Sequence, residues 1–182
     1  MADIVLTGNT SGAITIAAPA VAGTNTLTLP ASTSTLATTA DITGPTFSAH
    51  LSANQNIPTA TFTKIAFNAE LFDTDNNYDT STYRFTPTVA GYYQINSLAM
   101  LSAVKNTTLI ELYKNGAALV RGNQQVNGAL QTTRGVGLAY LAYANGSSDY
   151  FEIYAYHTTG TTEEILGTSR FSYFQAYLAR AA

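Results

Sequence analysis

The 182-residue chain has no cysteine, which excludes disulfide frameworks, thiolate nucleophiles and cysteine-based zinc sites together. Stability has to come from burial, within or between subunits. Charge is almost as scarce: 10% of residues are charged and the net charge is -3. Without a basic footprint for phosphate, nucleic acid is not an expected partner. Long hydrophobic runs are missing too. No stretch approaches the roughly 18 apolar residues of a membrane span, and "MADIVLTGNTSGAITIAAP" lacks a basic segment followed by a continuous apolar one. The expectation is a soluble product with no membrane insertion and no cleaved signal.

Catalytic signatures are sparse. The two histidines, His50 and His157, stand alone with no partner at metal-ligand spacing. No Gly-x-Ser-x-Gly elbow is present, and Gly135 and Gly137 are followed neither by a third glycine nor by a phosphate-binding lysine. Paired carboxylates drawn from Glu70, Asp73, Asp75, Asp79, Glu152 and Glu163 would suffice for a glycosidase only if they met in space. No catalytic or cofactor-binding residue is assigned, and the chain is read as a non-enzyme.

Aromatic residues are absent from the first 45 positions, where Asp3 and Asp41 are the only charges; Phe47 is the first aromatic, and all 12 tyrosines follow Asn77. This contrast divides the sequence near Gly44-Pro45 into segments 1–45 and 46–182. The first holds three short alternating runs, "DIVLTG", "AITIAAP" and "NTLTLPAS", each closed by Gly or Pro. Side chains so small do not enclose a core in 45 residues. Two readings stay open: a flexible linker, or a small β-rich anchor that orders against other chains.

What the second segment does contain is β-like throughout. Tyr, Phe, Thr, Ile and Val recur in period-2 runs, with turn signals every 8 to 15 residues. Asn115-Gly116 and Asn145-Gly146 are dipeptides suited to type I′ hairpins, in which both central residues need positive φ. About ten antiparallel strands in this length imply an all-β sandwich or jelly roll. In "DYFEIYAYH", Phe151, Ile153 and Ala155 share one strand face, while Tyr150, Glu152, Tyr154 and Tyr156 share the other. In "RFSYFQAYL", Phe171, Tyr173 and Tyr177 oppose Phe174, Ala176 and Leu178. One face fills a core, and tyrosine on the second suits a subunit interface better than open solvent, unless strand twist sets these rings at sheet margins. Tyr93, Tyr150, Tyr154, Tyr156, Phe171, Tyr173 and Tyr177 are the interface candidates.

"FDTDNNYDTSTYRFTPTVAGYY" gathers Asp73, Asp75 and Asp79 within seven residues. Asp73, Asp75 and Asn77 imitate the start of a calcium loop, but Tyr78 stands where its sharp turn needs glycine and Arg84 where it needs a bidentate glutamate. Turn-capping by Asp and Asn is the favoured reading, with calcium at Asp73, Asp75 and Asp79 the alternative.

Several motifs, taken in order, resemble the globular head of complement component C1q, in the tumour-necrosis-factor jelly-roll superfamily. They are "FSA" at Phe47–Ala49, the Phe-rich run Phe62–Asn68, Phe72-Asp73 with Asn77–Asp79, Phe85-Thr86-Pro87 with Gly91 and Tyr93, "LYKNG", and "SRFSYFQAYLA". The sequence departs from that pattern at "SSD", where only Asp149 of the usual Gly-Asp pair is kept, and it shows no collagen-like Gly-X-Y stalk. The first segment, "GNTSGAITIAAPAVAGTNTLTLPASTSTLATTADI", is similar to N-terminal modules of tailed-bacteriophage fibre and virion proteins. Together the resemblances imply a homotrimeric phage particle protein, made in the host cytoplasm, whose residues 1–45 contact other virion proteins. Capsid decoration, a short fibre tip and recognition of a host glycan or protein all follow as expected roles. For recognition the candidate stretches are 52–58, 73–82 and 122–133, all polar and rich in Asn and Gln.

Overall fold

The computed structural model describes residues 4–7, 13–16 and 44–182, and the chain divides into two compact units, Met1–Leu36 and Ala37–Ala182. In the first unit, β1 (Ile4–Thr7) and β2 (Ala13–Ile16) form an antiparallel ribbon, with Ile4 opposite Ile16 and Leu6 opposite Ile14. The first two alternating runs are therefore strands. The third, "NTLTLPAS", lies outside the described residues.

The second unit contains β3 (Thr46–His50), β4 (Gln55–Ile57), β5 (Thr63–Lys64), β6 (Ala69–Asp73), β7 (Tyr78–Asp79), β8 (Arg84–Phe85), β9 (Ala90–Lys114), β10 (Ala117–Asn145), β11 (Phe151–His157), β12 (Glu163–Ile165) and β13 (Tyr173–Ala181). All pair antiparallel, as expected of the sandwich. Alternation places every second residue of β9 from Tyr93 to Leu101, and Phe174 and Ala176 of β13, in the core, the pattern of a sheet with one buried face, whereas Thr108–Leu112 of β9 are buried on both faces.

Strands β9 and β10, 25 and 29 residues long, organise the rest. They form one hairpin, turned at Asn115-Gly116 with φ of 54° and 79°, the two positive values a type I′ turn requires. Asn106 at φ 55° and a register shift between Asn127 and Gln131 bend this ribbon without ending its pairing. The first half of β9 therefore pairs with β13, and through it with β3 and β6, while its second half pairs with β11, which carries β5 and β8. One hydrogen-bonded sheet thus folds over into two layers. The sequence suggests separate shorter strands here; the bend carries two αL residues, Asn106 and Thr133, and Gly128 falls inside the register shift.

Asn145-Gly146 behaves differently from its twin. β10 and β11 do not pair with each other; residues 146–150 carry the chain from one layer to the other. Gly146 has φ 72°, but the Asn145 side chain accepts hydrogen bonds from the backbone N–H groups of Ser147, Ser148 and Asp149, an Asx-type turn rather than a hairpin.

The core between the layers is aromatic. Phe47 of β3 stacks on Tyr78 and Phe85 at 4.7 and 4.5 Å between ring centres, meets Phe174 edge-on at 4.9 Å, and Phe85 reaches Tyr93 across the layers at 5.5 Å. Tyr93 is fully buried, and its hydroxyl donates to the Val89 carbonyl at 2.7 Å. This interface candidate thus faces its own core, because Tyr93 occupies an inward position of β9 in phase with Ile95, Ala99 and Leu101.

Antiparallel pairing also gives the head two ends. Pro45, Ala90 and the last residues of β13 meet at one, where Leu178 N–H donates to Pro45 O and Ala182 N–H to Ala90 O, both at 3.0 Å. Residues 55–57, 102–108, 127–131 and 157–165 meet at the other. Pro45, near the start of the described head, lies at the first of these ends.

Candidate functional site

The aspartate loop lies at the Pro45 end: Thr74 N–H donates to Thr46 O at 3.0 Å. Asp73 Oδ2 accepts from Tyr78 N–H at 2.7 Å and its Oδ1 from Asp75 N–H at 3.3 Å. Asp79 accepts from the side chains and backbones of Ser81 and Thr82. Those hydroxyl and amide donors stabilise the carboxylate and pull Asp79 down to about 2. The Asp75 carboxylate accepts from Thr74 Oγ1 at 2.7 Å. Among the described residues no group of three or more His, Asp or Glu is arranged to hold a metal ion. Asp73 and Asp79 both accept hydrogen bonds within their own turns. Glu70, beside them, is shifted upward by burial and then by the charges of Asp73 and Asp79.

The outward faces of the two layers differ in chemistry. On the β11 layer, Glu152 is 1% exposed and held by Lys64 Nζ at 3.1 Å and Arg84 Nε at 2.8 Å, while Arg121 clasps Glu111 at 2.8 Å. Aromatic rings lie among these charges: Tyr113 stacks on Tyr154 at 4.0 Å, Phe62 on Tyr156 at 4.7 Å, and Arg84 sits 4.2 Å over the Tyr150 ring. Tyr150, Tyr154 and Tyr156 therefore find partners within their own chain. Their second face is a self-covered network of ions and rings.

The β13 layer has a ring pair only at its edge, Tyr92 and Tyr143 at 5.6 Å with Lys114 Nζ 5.7 Å over Tyr143, among the described residues. Register places Tyr143 beside Tyr92; Leu141 beside Gln94, Tyr177 and Thr46; Ala139 beside Asn96, Gln175, Ser48 and Phe72; and Gly137 beside Leu98, Tyr173 and His50. Among the described residues, the three outward rows of Leu141, Ala139 and Gly137 contain no Asp, Glu, Lys or Arg. Arg180 stands at the rim, opposite Tyr92. Several of these side chains are half exposed, including Leu141 at 52%, Tyr177 at 50% and Phe72 at 49%. Two grooves cross the face, of about 500 and about 190 Å³, and both are lined by Asn96 and Gln175. The sequence-derived candidates Tyr173 and Tyr177 lie here, and Phe171 is exposed just before β13.

Sequence reasoning followed the tyrosines and missed Phe72, Tyr92, Gln94, Asn96, Leu141, Tyr143 and Gln175. Period-2 alternation could have put each of them opposite a core residue. Only strand pairing gathers them on one surface. Residues 122–133, expected as a loop, belong to β10, where Gln125 Nε2 donates to Gly135 O at 2.7 Å and the Asn123 carboxamide oxygen accepts from Gly137 N–H. Of the candidate recognition stretches, 52–58 and the middle of 122–133 lie at the end away from Pro45, and Asp73–Asn77 lies near it.

The family description "C1q domain" matches residues 46–178. Comparison with curated proteins gives no match. Among solved structures, the globular domain of zebrafish complement 1qA protein is 17% identical, with 76% of this chain and 99% of that chain covered and a TM-score of 0.59. Eiger TNF from S. frugiperda is 11% identical, with 76% and 95% covered and a TM-score of 0.55. Murine APRIL is 10% identical, with 73% and 98% covered and a TM-score of 0.51. At these identities the three structures establish a shared fold: the all-β jelly roll.

Proposed function

Because this chain belongs to the C1q domain family over residues 46–178, we propose that it is a non-enzymatic structural protein whose head assembles as a homotrimer on a tailed-bacteriophage particle. Residues 1–45 are the attachment segment. The observation that carries the oligomer is the uncharged, aromatic and amide-bearing outward face of the β13 layer. Interface centres are depleted in charge and enriched in aromatics. Symmetry sharpens the point: a charged residue near a rotation axis meets its own copies and repels them, whereas amides and phenols both donate and accept and so complement themselves.

The phage setting is supported by the likeness of Gly8–Ile42 to virion and fibre modules and by the weak β1–β2 ribbon, since two short strands are at best marginally stable alone. Three such segments on one trimer would attach multivalently, each weak contact gaining from the effective concentration of the others. At most about 150 Å long even when fully extended, 45 residues do not build a long shaft. Capsid decoration or a short tip fits better. The non-enzymatic part is supported by the engagement of Asp149, Glu152, Glu111 and Asp79 in structural pairs and turns.

Mass in solution tests the assembly. A single species of three chains is expected at micromolar concentration, and a monomer would overturn it. Labelling the protein on intact particles and imaging its position tests the mounting; label confined to the tail would remove the decoration reading. A second reading, host recognition by a tail-fibre module, is favoured by the polar stretches at the end of the head away from Pro45.

A further inference from the structure

We infer that the side-chain amides of Asn96 and Gln175 are the residues that set the register and number of copies in this assembly; the inference rests on the homotrimer proposed above. They sit side by side in one row of the outward β13-layer face, paired across β9 and β13. Larger apolar and aromatic side chains surround them, Leu141 and Tyr177 toward one end and Leu98 and Tyr173 toward the other. Both grooves on the face are lined by this pair.

Their hydrogen-bonding capacity is only partly used inside the chain. Asn96 Oδ1 accepts from Gln94 Nε2 at 3.2 Å, which leaves its two N–H donors for a neighbour. Among the described residues, no hydrogen bond engages the Gln175 side chain. Apolar side chains slide across one another at little cost, so an apolar face alone tolerates several registers and stoichiometries. Buried amides do not, because an amide left without a partner costs about 1–3 kcal/mol. A single polar position fixes register in helical oligomers by the same physics, at some cost in stability. An amide pair in the middle of an otherwise uncharged face penalises every arrangement of copies but the one that pairs it.

Three full-length variants test this by native mass spectrometry and thermal melting. Asn96→Leu with Gln175→Leu is expected to give an oligomer that melts higher but is distributed over more than one stoichiometry; a single three-chain species melting with the wild type would overturn the inference. Gln175→Glu, nearly isosteric, is expected to dissociate the oligomer at least tenfold at neutral pH and to restore it near pH 4, where the carboxyl takes up its proton. Retention of the wild-type mass at neutral pH would place Gln175 outside the contact and overturn the inference while leaving the homotrimer standing. Gln124→Glu, on the exposed first half of β10, serves as the control and should leave the mass unchanged. A monomeric wild type would remove the homotrimer itself, and this inference with it.

Discussion

Asp149 holds two turns at once. Its Oδ1 accepts from Asn115 Nδ2 at 2.7 Å, and its Oδ2 accepts from Asn145 N–H at 3.0 Å and pairs with Lys114 Nζ at 2.8 Å. Burial alone would raise its pKa, but the hydrogen bonds from Asn115, Lys114 and Asn145 outweigh it, and the net shift is downward. A carboxyl depressed in the folded state stabilises fully above its unfolded pKa of about 3.9, and that contribution is lost as pH falls through the lower folded value. Asp149→Asn should therefore cost about 1.5–3 kcal/mol at pH 6 in urea unfolding, the range for hydrogen bonds to a charged group. The gap to wild type should close toward pH 2; a gap independent of pH would show that the charge does not matter. Asp149 was legible in the sequence as the retained half of a familial pair. Its partners were not, because Asn115 and Asn145 become neighbours only when two turns 30 residues apart reach the same end of the head.

At the scale of elements, the layers are held by short strands clamped onto long ones. Glu152 ties β5 and β8 to β11 through Lys64 and Arg84, and both cations are partly exposed. Glu152→Ala leaves two cations without their anion; discounted for solvent around them, the cost should be about 2–3 kcal/mol by chemical denaturation. A loss below half of that would mean that solvent already supports the two cations. Turns are constrained unequally. Gly146 and Gly160 both have positive φ, at 72° and 95°, but a Cβ on Gly146 would run into Ala90 N, whereas one on Gly160 meets nothing within 4 Å. Gly160→Ala should cost about 1 kcal/mol, and Gly146→Ala about 1–3 kcal/mol more, read as melting temperature. Equal losses would refute the close approach. Strand content was readable from alternation, and the Asn115-Gly116 hairpin from its dipeptide. The matching dipeptide at Asn145 misled, since the same residue type serves a hairpin through its backbone and a crossover through its side chain.

For the whole head, the folded-over hairpin gives one layer a charged, self-covered outer face and the other a face whose central rows carry no charge, and it separates the Pro45 end from the far end. If soluble protein blocks adsorption of the particle to its host, Thr161→Lys at the far end should abolish the block, and Asp75→Lys near Pro45 should preserve it in the same competition assay. The reverse result would move recognition to the aspartate loop.

Composition and alternation by themselves determined that this protein is all-β and cysteine-free, and its motifs determined the family, because local propensity and turn chemistry are written along the chain. The tertiary structure decided which tyrosines face outward, that Asp73 and Asp79 serve their own turns, and that Asn96 and Gln175 share a face with no charge in the rows around them. Those outcomes depend on register between strands as far apart in sequence as Thr46 and Tyr177, set by where β9 bends from one layer into the other. Locally the bend is marked by Asn127-Gly128, inside the register shift, and by Asn106 and Thr133 at positive φ.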